Sequence, residues 1–339
     1  MKKIKLITSL STLGALTAAA PIVTTSCSSD KKAEYKNYIT FRGKAIELPE
    51  NLNPNFLCWV PSYSTGTYYM LIPTKDNEWI YIYDYNCDQI TDLKLTSCDD
   101  TAIINNDFLS YLPNLTTVNL SGLTKVTTIG HRFLSNNFLE SLDLTPLSNL
   151  NGIGDNFLSF SLFLDTTNIK FPEKGFEKLS CIGKDFMYSC FSLTSFDMSV
   201  FSYVEPEGAT ENQKFKIGVD LFEDCYFLES VNVNNILPDK LGYDTWNYDE
   251  GTKTWSFTRE DNNDLDTFTK WSLSPVPVEK QVPIKIICDN ETVKAAWNDA
   301  YTTNYKGYQL NKLNNYEWID PVTLDTMFFG NRSLDIQSK

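Results

Sequence analysis

Residues 129–144 read IGHRFLSNNFLESLDL, and variants of this stretch recur along the middle of the chain. Segments that start with Ile and place Phe or Leu four residues later begin at residues 104, 129, 153, 182 and 217. Each is followed by an apolar block of the form L-x-x-L-x-L, and such blocks begin at residues 90, 115, 139, 164, 193 and 228. The block starts are 25, 24, 25, 29 and 35 residues apart. A period of about 25 residues, with insertions in the last two units, is typical of stacked structural repeats. The spacing predicts six successive units over residues 90–236.

The last three positions of each block alternate between apolar and polar, as in a short strand with one buried face. Val118 and Leu120 are expected in the core, with Asn119 in solvent. One unit cannot bury its apolar walls alone, but stacked units share a core and pair their strands. The predicted fold class is an α/β-type repeat solenoid with short parallel strands.

One position of the repeat is occupied by glycine in four units, at residues 130, 154, 183 and 218, and by Asn105 in the first unit. Gly and Asn are the residues that best tolerate positive φ. We therefore predict a left-handed turn at this position.

The units resemble the BspA-like bacterial surface leucine-rich repeats, whose consensus is I-G-x-x-F-x-x-C-x-x-L-x-x-[IVL]-x-[IVL]. Cys190 and Cys225 lie four residues after Phe186 and Leu221, close to the position of that family's Cys. A thiol that fills the core is favoured there over a reactive one. The resemblance implies a surface protein that binds host or matrix components.

The N-terminus has the pattern of a secretory signal. Three lysines among the first five residues precede an uncharged stretch over residues 6–23 and a small-residue site. Residues 1–27 resemble a bacterial lipoprotein signal with a lipobox. The resemblance implies that Cys27 receives a diacylglyceryl lipid, which includes fatty acids such as palmitate, and that this lipid anchors the protein in the membrane. Thr24 departs from the usual Leu, a relaxation familiar among mollicutes. A membrane span is the alternative.

This interpretation predicts a lipid-anchored chain on the outer face of the plasma membrane, with residues 28–37 as a polar tether. No further cofactor is expected beyond the covalent lipid on Cys27. The seven remaining cysteines are odd in number and contain no C-x-x-C pair, so we expect mostly buried free thiols and no zinc ribbon.

Composition favours binding over catalysis. Lys and Arg number 29 against 43 Asp and Glu, which gives a formal charge of −14 and makes nucleic acid an improbable partner. The one histidine, His131, is expected to face solvent, and its isolation argues against multi-His metal sites and a His-dependent catalytic triad. We therefore predict no enzymatic activity and no metal site.

Residues 38–89 lack the repeat and are expected to form a β-rich N-terminal cap. Two β-rich runs flank residues 74–77, which predicts a hairpin. Within it Trp79, Tyr81 and Tyr83, followed by Tyr85, share one face. They form an aromatic platform for sugar or peptide, or simply pack across strands.

The C-terminal third is predicted to contain an insertion and a cap. Residues 237–281 read as a hairpin, with alternating aromatic residues at 246, 248, 255 and 257, and a linker. The acidic run at 260–266 lacks the Gly and Glu of a calcium loop, so a solvated loop is favoured. Over residues 282–339 we expect a closing strand at 284–288, a helix at 291–301 with Asn290 as its N-cap, and a tail without a clear signal.

The outward strand positions form the candidate ligand face: Asn119, Asp143, Asn168, Asp197 and Asn232, preceded by Lys94. Simple solvation of an exposed sheet is the alternative. Asp143 and Asp197 come near the spacing of paired glycosidase carboxylates, but an open surface lacks the desolvation that a general acid requires.

Three functional hypotheses follow. The first is a surface lipoprotein whose solenoid binds an extracellular macromolecule, in adhesion or host interaction. The second is a lipoprotein that binds or processes carbohydrate through its flanking aromatic residues. The third is a passive surface antigen or coat.

Overall fold

Short strands make up most of the regular structure. The computed structural model describes residues 32, 34–249, 254–259, 272–274, 282–302, 316–319, 326–330 and 333–339. Over these residues the fold is mixed α/β, with many strands in several sheets and few helices. Cys27, half of the residues of the predicted tether and the acidic run at 260–266 lie outside the described residues.

The N-terminal region contains six strands. They are β1 (Asn37–Phe41), β2 (Lys44–Glu47), β3 (Val60–Pro61), β4 (Tyr68–Pro73), β5 (Trp79–Tyr83) and β6 (Ile90–Leu95). β3, β4 and β5 form an antiparallel sheet, and β4 and β5 are the predicted hairpin. β5 ends at Tyr83, because Tyr85 belongs to the 3-10 helix Asp84–Gln89.

The middle region contains ten short strands. They are β7 (Ile103–Ile104), β8 (Thr117–Asn119), β9 (Thr128–Ile129), β10 (Leu142–Asp143), β11 (Gly152–Ile153), β12 (Ile169–Lys170), β13 (Cys181–Ile182), β14 (Ser195–Asp197), β15 (Lys216–Ile217) and β16 (Ser230–Asn234). Brief 3-10 helices at Pro54–Leu57, Thr145–Leu147, Met198–Val200, Glu211–Gln213 and Pro238–Lys240 lie between strands.

The odd-numbered strands from β7 to β15 form one parallel sheet in the order β15-β13-β11-β9-β7. Their second residues stay in register, so five isoleucines line up across it, at positions 104, 129, 153, 182 and 217. Parallel pairs also join β6 to β8, β10 to β12 and β14 to β16. Each of these pairs therefore joins a strand to the next strand but one along the chain.

The core is one continuous cluster that includes residues of both sets of strands. Four buried phenylalanines, at positions 108, 133, 157 and 186, stack with centroid separations of 5.1, 5.2 and 5.3 Å and interplanar angles below 10°. Val118 and Leu120 are buried and Asn119 is exposed, as the alternation predicts. The buried aromatic row runs in the same direction as the strand ladder.

The predicted left-handed turn at the repeated glycine is wrong. Gly130, Gly154, Gly183 and Gly218 are absent from the positive-φ residues of the described chain. Each approaches the preceding segment too closely for a side chain: a Cβ on Gly154 would lie 2.7 Å from the carbonyl carbon of Gly130. Close backbone approach, rather than chain reversal, explains this glycine position.

Positive φ occurs two residues after the glycine, at Arg132, Asn156, Asp185 and Asp220. It recurs four residues after the glycine at Leu134, Leu158 and Met187, with φ of 50°, 57° and 55°. This conformation is strained for such side chains. Hydrogen bonds to the preceding segment compensate, since Leu158 N donates to Phe133 O at 3.0 Å and Met187 N donates to Phe157 O at 2.8 Å.

The side-chain amide of Asn55 bonds to β7, the strand at one edge of the five-stranded sheet. Asn55 Nδ2 donates to Ile103 O at 3.0 Å, and Asn105 N donates to Asn55 Oδ1 at 2.8 Å. The amide therefore bonds to the edge of β7 as another strand would. It reduces the number of exposed backbone groups there, which limits edge-to-edge association.

The C-terminal region contains β17 (Tyr243–Asp249), β18 (Thr254–Arg259), β19 (Ser272–Ser274), β20 (Ile284–Cys288), helix α1 (Glu291–Ala300), β21 (Tyr316–Ile319), β22 (Thr326–Gly330) and β23 (Leu334–Ser338). The antiparallel pair β17–β18 confirms the hairpin predicted there. β16, β20 and β23 extend a parallel sheet, although residues 334–338 show no clear strand pattern in the sequence.

Helix α1 begins as predicted. Asn290 Oδ1 accepts a hydrogen bond from Val293 N at 3.0 Å, which is the N-cap contact. Trp297 is fully buried, and its Nε1 donates to Ile236 O at 2.9 Å. The helix is thereby fixed against the end of β16.

Candidate functional site

Four of the five residues predicted for the ligand face lie on outward strand positions. Asn119 pairs with Lys94 across β6 and β8, and Asp197 pairs with Asn232 across β14 and β16. Asp143 lies on β10 and is exposed. The alternation of the sequence is sufficient to place these side chains.

The fifth placement is wrong, because Lys170 rather than Asn168 lies beside Asp143. Asn168 folds into a turn, where its Oδ1 accepts from Asp165 N at 2.8 Å and its Nδ2 donates to Phe163 O at 2.9 Å. The turn adds two residues before β12, so Ile169 pairs with Leu142. A cation, with Nζ 3.4 Å from Asp143 Oδ2, therefore takes the predicted place of an amide.

One side-chain oxygen of each strand-borne Asn or Asp on this face is bonded to the chain's own backbone. Asn119, Asp143, Asp197 and Asn232 each accept a hydrogen bond from the backbone N–H two residues later, at 3.0, 2.9, 2.9 and 3.2 Å. Such Asx turns are a structural use of Asn and Asp at the end of a strand. The geometry favours a strand-ending role for these side chains over a ligand-binding role.

The predicted aromatic residues lie on an exposed sheet face. Trp79 and Tyr81 are 51% and 53% exposed, Tyr83 is half-buried, and Ile82 on the opposite face is fully buried. Cross-strand neighbours extend this surface with Tyr69, Leu71 and Pro73 of β4 and Val60 of β3. We call these seven residues the aromatic face. A surface patch of this composition is typical of an interaction site.

The β4 part of this face was missed in the sequence, although its signal was present. Tyr69, Leu71 and Pro73 alternate with the buried Met70 and Ile72. Once the hairpin register is set by residues 74–77, these three must lie opposite the β5 aromatics. Their pairing was not predicted because the register depends on the turn geometry.

Two rings of the aromatic face pack against neighbouring rings outside it. Tyr83 and Tyr85 are nearly parallel at 7° with centroids 5.1 Å apart, and Trp79 meets Phe56 edge-on at 5.7 Å. Parallel rings this close must overlap, so part of each ring face is covered. Ring edges and hydroxyl groups are therefore a large part of what remains accessible.

An ion pair lies close to this region. Arg132 Nη2 donates to Asp107 Oδ2 at 2.7 Å, and Arg132 Nε bonds to Asp107 Oδ1. These hydrogen bonds raise the pKa of Arg132, and Tyr111 and Tyr68 are near enough to raise it further. The ion pair joins Arg132 to the preceding segment, which contains Asp107.

The structure also brings together three acidic side chains that the sequence analysis did not single out. Ligand oxygens of Asp185, Asp220 and Glu223 lie within 4.8 Å of one another. Burial, followed by repulsion from Asp220, raises the pKa of Asp185 to about 6. Asp185 and Asp220 occupy equivalent positions two residues after Gly183 and Gly218, so aligning the segments would have found them.

A surface groove of about 420 Å³ lies at the carboxyl ends of β14 and β16. Its charged groups are already bonded: Glu205 Oε1 accepts from Lys240 Nζ at 2.6 Å and from Phe215 N at 2.8 Å. Beside it, Asn234 Nδ2 donates to Asp197 Oδ1 at 2.8 Å. These bonds hold the loops together around the groove.

His131 is more enclosed than predicted. Its side chain is 26% exposed, and Nδ1 accepts a hydrogen bond from Asp155 N at 3.0 Å. The same nitrogen lies 3.2 Å from Asp155 Oδ2. The imidazole links two neighbouring segments, which is a structural role.

The seven described cysteines are free, and five of them are buried. Cys190 Sγ donates to Leu158 O, and Cys225 Sγ donates to Met187 O, both at 3.2 Å. Burial raises the pKa of Cys190 to about 12 and that of Cys225 well above its usual value. Both thiols therefore pack as core groups, as predicted.

Within the described residues, none of the helices has the length and apolarity needed to cross a membrane. Comparisons of the chain with protein-family models, curated proteins and solved structures return no match.

Proposed function

We propose that this chain is a non-enzymatic, lipid-anchored surface protein that binds an extracellular protein. In this proposal Cys27 carries the lipid, the parallel strands belong to a leucine-rich repeat solenoid, and the aromatic face makes the contact. The exposed aromatic face carries the proposal. Tyr and Trp dominate protein interfaces because they offer large, rigid contact areas that are both apolar and hydrogen-bonding.

The regularity of the strand pairs supports the solenoid. Five two-residue strands, each separated from the next by a strand of the other set, pair in parallel with their isoleucines in register. The stacked phenylalanines fill the core at the same interval. A stack of this kind is a rigid support on which an interaction surface can be displayed.

The ring geometry favours a protein partner over a carbohydrate. A sugar ring stacks on an open aromatic face, whereas Tyr83 and Tyr85 cover part of each other. A protein can use ring edges and hydroxyl groups, as it does with the tyrosines of antibody binding sites. The net charge of −14 further favours a partner with a basic surface.

A double substitution on the aromatic face tests this function. We expect Trp79→Ala with Tyr81→Ala to weaken saturable binding of the full chain to host cells and extracellular matrix proteins by about tenfold or more, because central aromatic residues carry much of an interface's energy. Surface plasmon resonance and cell-binding assays measure the effect.

Tyr63→Ala is the matched control, because Tyr63 is 97% exposed and lies outside the aromatic face. It should bind like the wild-type chain. Equal binding by the double variant and the wild type would contradict the proposal. Binding confined to a glycan array would replace the protein partner with a carbohydrate.

A further inference from the structure

β5 lies at the edge of its sheet. Among the described residues it pairs with β4 alone, in the order β3-β4-β5. The other long side of β5 therefore presents backbone groups to its surroundings. Trp79 and Tyr81 lie on this strand with half of their surface exposed.

The hairpin register shows which backbone groups point outward. Thr74 N donates to Glu78 O at 2.8 Å, which makes this a hydrogen-bonded pair. Such pairs alternate along an antiparallel ladder, so Ile72–Ile80 and Met70–Ile82 also exchange bonds. The N–H and C=O groups of Trp79 and Tyr81 then point away from β4.

Two neighbouring residues agree with this register. Pro73, which has no N–H, pairs with Trp79 at a position where β4 needs no donor toward β5. Tyr83 N donates to Asn86 Oδ1 at 3.0 Å instead of to β4. The outward N–H of Tyr83 is thus already bonded, while the outward N–H and C=O groups of Trp79 and Tyr81 remain available for pairing.

The two edges of this sheet differ in protection. β3 is two residues long and contains Pro61, which blocks strand addition. β5 has the sequence WIYIY, with no charge, Gly or Pro and with residues of high strand propensity throughout. An edge of this kind accepts an added strand readily.

We propose that β5 is the docking edge for an extended segment of the partner protein, which adds to the sheet as a fourth strand with basic residues at its two ends. This inference rests on the proposed function and specifies how the aromatic face is used. The added strand would receive hydrogen bonds from Tyr81 and place alternate side chains against Trp79, Tyr81 and Tyr83.

Charge selects this occupant over a second copy of the chain. Glu78 and Asp84 flank β5, both are exposed, and neither is in an ion pair within the described structure. Backbone N–H groups of Tyr68 and Tyr85 donate to Asp84, at 3.1 and 2.8 Å, and hold its charge at the end of β5. Antiparallel pairing of two copies about Tyr81 would place Glu78 of one opposite Asp84 of the other, and like charges in that position are destabilising. Basic ends on the partner strand would instead form favourable pairs.

The probe is a fluorescent peptide of about seven residues that alternates Val and Thr between terminal lysines, so that its two lysines lie opposite Glu78 and Asp84 when its central residue pairs with Tyr81. We expect saturable binding to the full chain by fluorescence anisotropy. Methylation of the peptide nitrogens that face β5 should weaken binding by about tenfold or more, whereas methylation of the opposite set should not. This comparison leaves the protein unaltered.

A pair of substitutions at one position separates backbone pairing from side-chain contact. Tyr81→Ala removes the ring and keeps the N–H, while Tyr81→Pro removes both. Because that N–H points away from β4, Pro is compatible with this edge position. We expect Tyr81→Pro to bind the peptide at least about threefold more weakly than Tyr81→Ala. Circular dichroism and thermal unfolding check that both variants fold.

Hydrogen exchange supplies an independent readout. In the free chain the amides of Ile80 and Ile82 should be protected and those of Trp79 and Tyr81 should exchange rapidly, with Tyr81 becoming protected when the peptide binds.

Absence of peptide binding, insensitivity to N-methylation, or an unprotected Tyr81 amide in the complex would overturn the docking mode. If one of these results were obtained and the Trp79→Ala, Tyr81→Ala double variant nevertheless lost binding to extracellular proteins, the proposed function would stand and strand addition at β5 would be wrong. Concentration-dependent dimers lost in Tyr81→Pro would identify a second copy as the occupant and overturn the proposal.

Discussion

Equivalent residues in successive segments of the chain meet opposite electrostatic environments. Asp107 faces Arg132 and forms two hydrogen bonds with it. Asp185, at the corresponding position, faces Asp220, and burial and that repulsion raise its pKa to about 6. The same residue type is therefore stabilising at one position and costly when ionised at the other.

Asp185→Asn is expected to stabilise the fold at pH 7 by about 2 kcal/mol and to have little effect near pH 4. The folded chain binds its proton more tightly than the unfolded chain, so stability from this group is present below pH 4 and lost as pH rises through about 6. Asn also suits the positive φ of 57° at this position. Urea unfolding with EDTA across pH 4–7 measures the difference.

Asp107→Asn is the matched control, because it removes the charge that pairs with Arg132. It should destabilise the chain by about 1 kcal/mol at pH 7. If Asp185→Asn destabilised the protein to the same extent at pH 7, the electrostatic interpretation of Asp185 would be wrong.

At the scale of the elements, the parallel sheet requires backbone to approach backbone where the glycines lie. A Cβ on Gly154 would lie 2.7 Å from Gly130 C and 2.9 Å from both Gly130 O and His131 N. All three atoms belong to the main chain, so relief requires a shift of the neighbouring segment. Stacking, rather than local turn chemistry, explains the glycine.

Gly154→Ala is expected to destabilise the protein by about 3 kcal/mol because it overpacks the main chain of the adjacent segment. Gly66→Ala, at a φ of 71° with open space around it, should cost about 1 kcal/mol. Thermal and chemical unfolding of the two variants give the comparison.

Gly154→Asn distinguishes the two explanations of this position. A left-handed turn would tolerate Asn better than Ala, whereas a steric limit makes Asn at least as harmful as Ala. A more stable Asn variant would contradict the close-approach explanation.

For the whole molecule, the proposed anchor determines where the acidic chain is displayed. A single lipid-bearing end would hold the described residues beside the membrane, and a net charge of −14 would favour basic partners there. The anchor depends on one residue, Cys27, which makes it directly testable.

Cys27→Ser is expected to abolish metabolic labelling with palmitate and to move the chain from the detergent phase to the aqueous phase on Triton X-114 partition, because the proposed lipobox then lacks the thiol that accepts the lipid. Cys98→Ser is the control, since Cys98 is partly exposed and free yet has no lipobox around it. Unchanged labelling of Cys27→Ser would refute the anchor.

Much of the local structure was predictable from short patterns. Alternation placed Val118, Asn119 and Leu120 correctly, and turn residues predicted the β4–β5 hairpin. Asn290 signalled the start of α1. The class of the fold, mixed α/β with many strands, followed from these elements. The strands β7, β9, β11, β13 and β15 were not predicted because two residues carry too little periodicity to be recognised.

The sequence by itself determined the burial of Val118 and Leu120, the β4–β5 hairpin and the start of α1 at Asn290, because these depend on side-chain alternation and local backbone preference. Only the tertiary structure decided the role of Gly154, the replacement of Asn168 by Lys170, and the outward direction of the Tyr81 backbone. Each depends on which segment lies alongside and in which register. Those relations join residues far apart in the chain, and local patterns do not encode them.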